Sequence, residues 1–110
     1  MKMKLTCWGK EWEVTVLLQR YSIDNTLAIQ LWCYDEGYPE PFATLTKNVQ
    51  DPFLEENEAY VDVNNCPWAE ELIKKYNLGN PTGERMQPAW VSYPKYQFNL
   101  EELKKYIGEN

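Results

Sequence analysis

Two stretches in which apolar and polar side chains alternate constrain the fold of this chain more than any other feature. The stretch at residues 11–18 places three apolar residues on one side, Trp12, Val14 and Val16. The stretch at residues 26–34 does the same with Leu27, Ile29, Leu31 and Cys33. Because successive side chains of a β-strand point to opposite faces of a sheet, each stretch predicts a strand with one face on a core.

Shorter extended segments surround these two strands, and further strands are predicted at residues 3–8, 42–46, 59–63 and 89–93. Turn-forming residues separate the first four strands, with a tight turn at Gly9-Lys10 and breakers at Gly37, Pro39 and Pro41. Consecutive strands joined by short turns predict an antiparallel meander. Residues 48–58 and 80–88 are expected to be loops, the first held to the core by Phe53 and Leu54.

The stretch at residues 62–68 marks a change from strand to helix. Pro67 suits the first turn of a helix, and Asn65 or Cys66 is the expected N-cap. The apolar residues of the predicted helix fall on one face: Trp68, Ala69, Leu72, Ile73 and Tyr76. Residues 77–79 supply the Asn or Gly that ends a helix in the left-handed conformation.

A second helix is predicted at residues 100–107, because Asn99 is a good N-cap and Glu102 follows three residues later. A chain of this length can bury a single core without the help of disulfides, so residues 1–110 are expected to form one domain. We therefore predict the α+β class, with one antiparallel sheet of four to six strands and two helices packed on it.

The charge of the chain narrows its function. It has 17 acidic and 11 basic residues, a net charge of −6 and no histidine. An acidic domain repels phosphate backbones, so direct nucleic-acid binding is not expected. Catalysis that depends on a Ser-His or Cys-His pair within this chain is excluded, and the commonest metal ligand is missing. We expect no cofactor and no bound metal.

Three cysteines indicate the compartment. Cys7, Cys33 and Cys66 are odd in number and widely spaced, which fits neither a disulfide framework nor a zinc site. No signal-peptide pattern and no apolar run of membrane-spanning length is visible. Reduced thiols, a cytoplasmic location and no membrane partner are expected.

An acidic run is the first candidate site. Residues 48–73 contain no Lys or Arg and seven acidic residues. Five of these could form one acidic face: Asp51, Glu55, Glu56, Glu58 and Asp62. The simplest interpretation is a solvated surface, and the order of a calcium loop is absent. The functional interpretation is a negative face for a basic partner protein.

A pocket at the strand-to-helix junction is the second candidate. Its members would be Asn64, Asn65, Cys66, Trp68, Arg85 and Tyr93. A thiol near a helix N-terminus can become nucleophilic, but no His can activate it and Glu70 and Glu71 oppose a thiolate. Packing or capping is the simpler role for Cys66. The two Asn side chains could bind a ligand or satisfy backbone groups, and Arg85 is expected to pair with a carboxylate.

The aromatic residues admit two uses. Five Trp and eight Tyr are present, and such side chains are enriched both in cores and at interfaces. A subset could form an aromatic surface: Trp32, Tyr38, Trp90, Tyr93 and Tyr96. Half or more of them could instead lie in the core.

Several short runs of the chain resemble a known family. They are residues 41–46, residues 62–70 with the sequence DVNNCPWAE, residues 77–83, Tyr93-Pro94 and residues 98–100. They are similar to a family of short Gram-positive bacterial proteins, also found on plasmids, conjugative elements and phages, that is described only as a domain of unknown function. The resemblance implies a stand-alone intracellular accessory protein and supplies no catalytic residues.

Two functions follow as expectations. The first is a non-enzymatic protein-binding module, specifically a mobile-element accessory or anti-defence protein that uses its acidic face against a basic partner. The second is a small-molecule binder or enzyme with a cleft around Cys66, Asn64, Asn65 and Arg85.

Overall fold

Within residues 1–35 and 37–108, which the computed structural model describes, the chain forms eight β-strands and two short α-helices. The strands are β1 (Met3–Cys7), β2 (Lys10–Arg20), β3 (Leu27–Asp35), β4 (Tyr38–Thr44), β5 (Thr46–Lys47), β6 (Glu58–Val61), β7 (Gly79–Met86) and β8 (Tyr93–Phe98). The helices are α1 (Ala69–Lys75) and α2 (Leu100–Lys104).

The first sheet is an antiparallel meander in the order β1-β2-β3-β4, as predicted. Val14 lies opposite Cys33 and Val16 opposite Leu31, so the apolar sides of the two alternating stretches share one face. These four residues are almost fully buried. The first turn lies one residue earlier than predicted, at Trp8-Gly9, because Cys7 pairs with Lys10.

The second sheet has the order β5-β6-β8-β7, again antiparallel. The α+β class is confirmed, but the expected single sheet of four to six strands is replaced by two sheets of four. The sheets meet where β3 passes the start of β5: Leu45 N donates to Ile29 O, and Ile29 N donates to Thr46 Oγ1. Side chains from both sheets and both helices form one buried cluster.

Helix α1 starts later than predicted. Its N-cap is Trp68, whose side chain makes no capping hydrogen bond, so the expected Asn65 or Cys66 cap is wrong. Its C-terminal end matches the prediction: Asn77 has φ +56°, and the N–H groups of Asn77 and Leu78 donate to Lys74 O and Ile73 O. Helix α2 begins as predicted, with Asn99 Oδ1 accepting from Glu102 N, and ends three residues early.

The C-terminal third contains the main errors of the sequence interpretation. The predicted loop at residues 80–88 includes most of strand β7, whereas the predicted strand at residues 89–93 is irregular up to the start of β8.

Phe53, expected to anchor its loop on the core, is 83% exposed. No helix of the described residues is long and apolar enough to cross a membrane.

Candidate functional site

A groove of about 280 Å³ lies at the end of β2, between the β2–β3 loop and the loop at residues 50–56. We call it the acidic groove and define it by the charged residues in its wall: Arg20, Asp24, Asp51, Glu55 and Glu56. These five residues carry four carboxylates and one guanidinium, which leaves three negative charges. Ile23, Pro52 and Leu54 supply apolar wall.

The β2–β3 loop is held in shape by its own hydrogen bonds. Tyr21 N donates to Thr26 O at 2.8 Å, and Asn25 takes the left-handed conformation with φ +61°. Asp24 Oδ1 accepts from Thr26 N, Thr26 Oγ1 and Asn48 Nδ2, so Asp24 also ties this loop to the next. Short Asp and Asn side chains fold chains into turns by such bonds.

Side-chain hydrogen bonds also hold the second loop, at residues 50–56, in shape. Asn48 Oδ1 accepts from Gln50 N, and Asp51 Oδ1 accepts from Phe53 N at 2.9 Å. Asp51 Oδ2 accepts from the Tyr60 hydroxyl at 2.7 Å. The Phe53 N–H, and then the Tyr60 hydroxyl, lower the pKa of Asp51 because both bonds favour the charged carboxylate. Asp51 is therefore a fixed negative charge at neutral pH.

Arg20 closes the groove on one side. Its Nη1 donates to Glu56 O at 2.8 Å, and its Nη2 lies 3.8 Å from Glu56 Oε1. The Glu56 side chain is 85% exposed, and Glu55 is also exposed. The Glu55 and Glu56 side chains therefore line the groove and are largely exposed to solvent.

The structure separates the five predicted acidic residues. Asp51, Glu55 and Glu56 lie together at the groove. Glu58 is half-buried, accepts from Glu55 N and lies 3.9 Å from the buried Lys95 ammonium. Asp62 is 5% exposed. The last two side chains therefore shape the loop and the core and do not contribute to an exposed acidic face.

Sequence reasoning missed three members of the groove: Arg20, Ile23 and Asp24. They come from the end of β2 and the loop after it, about thirty residues before Asp51. The contact between Asp24 and Asn48 that brings the loops together has no counterpart in sequence spacing. The only signal was local, in the turn-forming stretch at residues 22–25.

The predicted pocket residues occupy different environments. Cys66 is 2% exposed, and its thiol donates to Thr44 O at 3.5 Å. Burial, with the nearby Asp62 charge, raises the pKa of Cys66 to about 11. The Cys66 thiol is therefore protonated at neutral pH. Asn65 Nδ2 donates to Asp62 Oδ2 at 2.9 Å, so its amide satisfies a buried carboxylate.

Two of the remaining pocket residues, Arg85 and Tyr93, lie on other elements, and Asn64 and Trp68 lie on the same junction as Cys66. Arg85 is on β7 and donates to the hydroxyl and carbonyl oxygens of Ser92, where a carboxylate partner was expected. Tyr93 is buried at the start of β8, and Asn64 is exposed. Trp68 packs on Phe42. These contacts do not build one cleft around the thiol.

The predicted aromatic surface also divides. Tyr93 and Tyr96 are buried, whereas Tyr38 and Trp90 are 72% and 96% exposed, and Trp32 is half-buried. The Tyr96 hydroxyl donates to Glu70 Oε1, and burial, followed by this bond, raises the pKa of Tyr96 to about 12. Within the part of the chain that the structure describes, no group of three or more Cys, Asp and Glu side chains is placed to hold a metal ion.

A different aromatic group lies at the opposite end of β2. Trp8, Trp12, Phe42 and Trp68 form it, with ring centroids 5.2–6.3 Å apart in the four contacting pairs. We call this group the aromatic end. Trp8 is 79% exposed and has φ +54°, and the Lys10 ammonium sits 4.2 Å from the Trp12 ring centroid.

Comparison with known families identifies the chain more closely. The family model DUF4313, a domain of unknown function, matches residues 15–110. The chain belongs to this family. All residues of the acidic groove lie within the matched DUF4313 range, whereas Trp8 and Trp12 precede it. Neither the curated proteins nor the solved structures give a significant match.

Proposed function

We propose that the chain is a non-enzymatic protein-binding module that uses the acidic groove to dock a basic partner. The observation that carries this proposal is the charge of the groove, four carboxylates against one guanidinium. The carboxylates come from two loops that are cross-linked by side-chain hydrogen bonds. A charged surface of one sign steers an oppositely charged partner and disfavours partners of like charge.

The groove has the features of an interaction surface more than of an active site. Its volume of about 280 Å³ lies just below the usual range of ligand pockets, about 300–1,000 Å³. Its acids serve as turn-forming acceptors or face solvent, as Asp51 and Glu55 do. A general acid or base at neutral pH needs a pKa raised toward 7, whereas the pKa of Asp51 is lowered.

A finer proposal concerns the biological role of the module and the protein that it binds. The resemblance of the chain to proteins of Gram-positive mobile elements supports a role as a cytoplasmic accessory or anti-defence protein. A basic host nuclease or defence protein is a suitable target, because carboxylates held on a rigid loop imitate the charge of nucleic-acid phosphates. The partner in this proposal is a protein, and neither a nucleic acid nor a membrane.

The alternative with a cleft at Cys66 receives less support. A nucleophilic thiol requires exposure and a low pKa, whereas Cys66 is buried and its pKa is raised. Arg85, which that cleft would use, is engaged by Ser92.

The proposal is tested by affinity capture from host lysate at low and high salt, with identification by mass spectrometry. Immobilised wild-type protein should capture a basic protein at low salt and release it at high salt, because exposed charges are screened. The double variant Glu55→Lys, Glu56→Lys should capture about tenfold less of that protein, or less still.

A matched control changes the net charge equally at the other end of β2 and on α1. Glu11→Lys with Glu71→Lys alters two exposed acids outside the groove and should capture the partner nearly as well as wild type. Equal loss in both double variants would assign binding to net charge alone and overturn the role of the groove. Capture that is unaffected by either double variant would overturn it as well.

A further inference from the structure

Two large apolar side chains lie in open solvent on the two loops that form the acidic groove. Ile23 in the β2–β3 loop is 67% exposed, and Phe53 in the second loop is 83% exposed. Ile23 lines the groove, and Phe53 lies between the lining residues Pro52 and Leu54. Exposed side chains of this size on the loops that form a groove mark a contact surface more often than scattered single residues do.

The loops present these side chains in a fixed shape. The Phe53 N–H is held by Asp51 Oδ1, and the Ile23 loop is closed by the bond from Tyr21 N to Thr26 O. Arg20 fixes the second loop at Glu56 O. Since little loop ordering remains to be done on binding, more of the contact energy appears as affinity.

Charge and apolar surface together define the occupant. A purely cationic segment would satisfy the carboxylates and leave Ile23 and Phe53 in water. A purely apolar segment would cover them and remove water from carboxylates that outnumber the one guanidinium, which is costly. A segment with basic residues on either side of one apolar residue matches both features.

We infer that the acidic groove binds a short segment of the basic partner in which cationic residues flank one apolar side chain, and that Ile23 and Phe53 contact that side chain. This inference rests on the proposed function and adds the chemistry of the recognised segment to it. The groove volume of about 280 Å³ limits the segment to a few side chains.

The test measures fluorescence polarisation with two labelled peptides, Lys-Arg-Leu-Arg-Lys and Lys-Arg-Ser-Arg-Lys. Both carry the same charge, so they differ only in the apolar side chain. Wild-type protein should bind the Leu peptide about tenfold more tightly, which is the order expected for partial burial of one Leu side chain. The double variant Ile23→Ser, Phe53→Ser should bind the two peptides equally.

Two further variants separate the contributions. Trp90→Ser removes an apolar side chain that is 96% exposed and outside the groove wall, and it should keep the tenfold preference. Glu55→Lys with Glu56→Lys should weaken both peptides together. Unchanged thermal unfolding of each variant checks that the fold is retained.

The outcomes distinguish this inference from the proposed function. Equal binding of both peptides by wild type, or a preference for Leu that survives in the Ile23→Ser, Phe53→Ser variant, would overturn the apolar contact and leave the charge-based docking intact. If neither peptide binds while lysate still yields a salt-sensitive basic partner, the short-segment inference fails alone. If neither peptide binds and no partner is captured, both proposals fail.

Discussion

The two ends of strand β2 are built from opposite chemistry. At its start lies the aromatic end, where rings pack against one another at tilted or edge-on angles and continue into the core. At its finish lies the acidic groove, where short polar side chains bond to backbone N–H groups. A strand advances about 3.3 Å per residue, so roughly 33 Å separates Lys10 from Arg20. One short peptide therefore cannot contact both ends.

The difference teaches which end carries stability and which is available for recognition. Trp12, Phe42 and Trp68 are half-buried and pack on the core, so removing them exposes apolar surface and leaves a cavity. Glu55 and Phe53 are exposed, so removing them leaves the core untouched. The measurements below test this division in order of decreasing expected effect.

The alkylation rate of Cys66 tests whether the core between the two ends of β2 stays closed to solvent. Because its pKa is raised to about 11 from the usual 9, its thiolate fraction at neutral pH is lowered about 100-fold. Alkylation of the Cys66 peptide by iodoacetamide, followed by mass spectrometry, should be at least about 100-fold slower in the native protein than in urea. Comparable rates in both states would show that the core near Cys66 opens readily.

The same substitution at each end sharpens the comparison directly. Phe42→Ala removes a ring that contacts Trp8, Trp12 and Trp68 and should lower the free energy of unfolding by about 2 kcal/mol, less than for a fully buried Phe. Phe53→Ala, the control, should change it by less than about 0.5 kcal/mol. Urea unfolding measures both, and equal losses would contradict the division.

Asp51 is the residue of the acidic groove that we expect to contribute to the free energy of unfolding. Asp51→Asn keeps one acceptor oxygen, which the Phe53 N–H can use, but loses the charge and the second oxygen that accepts from Tyr60. It should cost about 1 kcal/mol at pH 7. Because the folded-state pKa of Asp51 is lowered, this contribution is present above its ordinary pKa of about 4 and is lost as pH falls through the folded value. Urea unfolding of both proteins from pH 7 to pH 2 should show the difference shrinking, and a constant difference would rule out the charge as its source.

Trp8 should give the smallest effect and the opposite sign. A left-handed backbone is unfavourable for a large side chain, and Trp8 holds it at φ +54° while 79% exposed. Trp8→Asn places a residue that tolerates this conformation before Gly9. We expect the free energy of unfolding to rise by about 0.5 kcal/mol. A clear decrease would mean that the Trp8 ring stabilises the aromatic end beyond its small buried area.

The first sheet was predictable because its signal is local. Alternation over residues 11–18 and 26–34 fixed the faces of β2 and β3, and turn residues fixed their antiparallel order. Strand β7 lacks that signal, since six of its eight residues are exposed and it contains Pro81 and Gly83. It is a strand because β8 pairs with it, which is a tertiary effect.

The candidate site was half predictable. Asp51, Glu55 and Glu56 follow from a run of acids without a base. Burial of Asp62 and engagement of Glu58 by Lys95 depend on contacts with distant residues. Arg20, Ile23 and Asp24 join the groove only because β2 and β3 turn beside the later loop. Charge counting finds an acidic segment, and only the packed chain shows which acids face solvent.

The edges of the first sheet limit how the chain can associate. Strand β4 forms one edge and contains Pro39 and Pro41, neither of which has an N–H to offer. At the other edge, the Tyr76 hydroxyl accepts from Lys4 N at 2.7 Å. A strand from another molecule therefore finds few complementary backbone groups on either side. In concentrated solution these edges should therefore slow the growth of this sheet into fibrils.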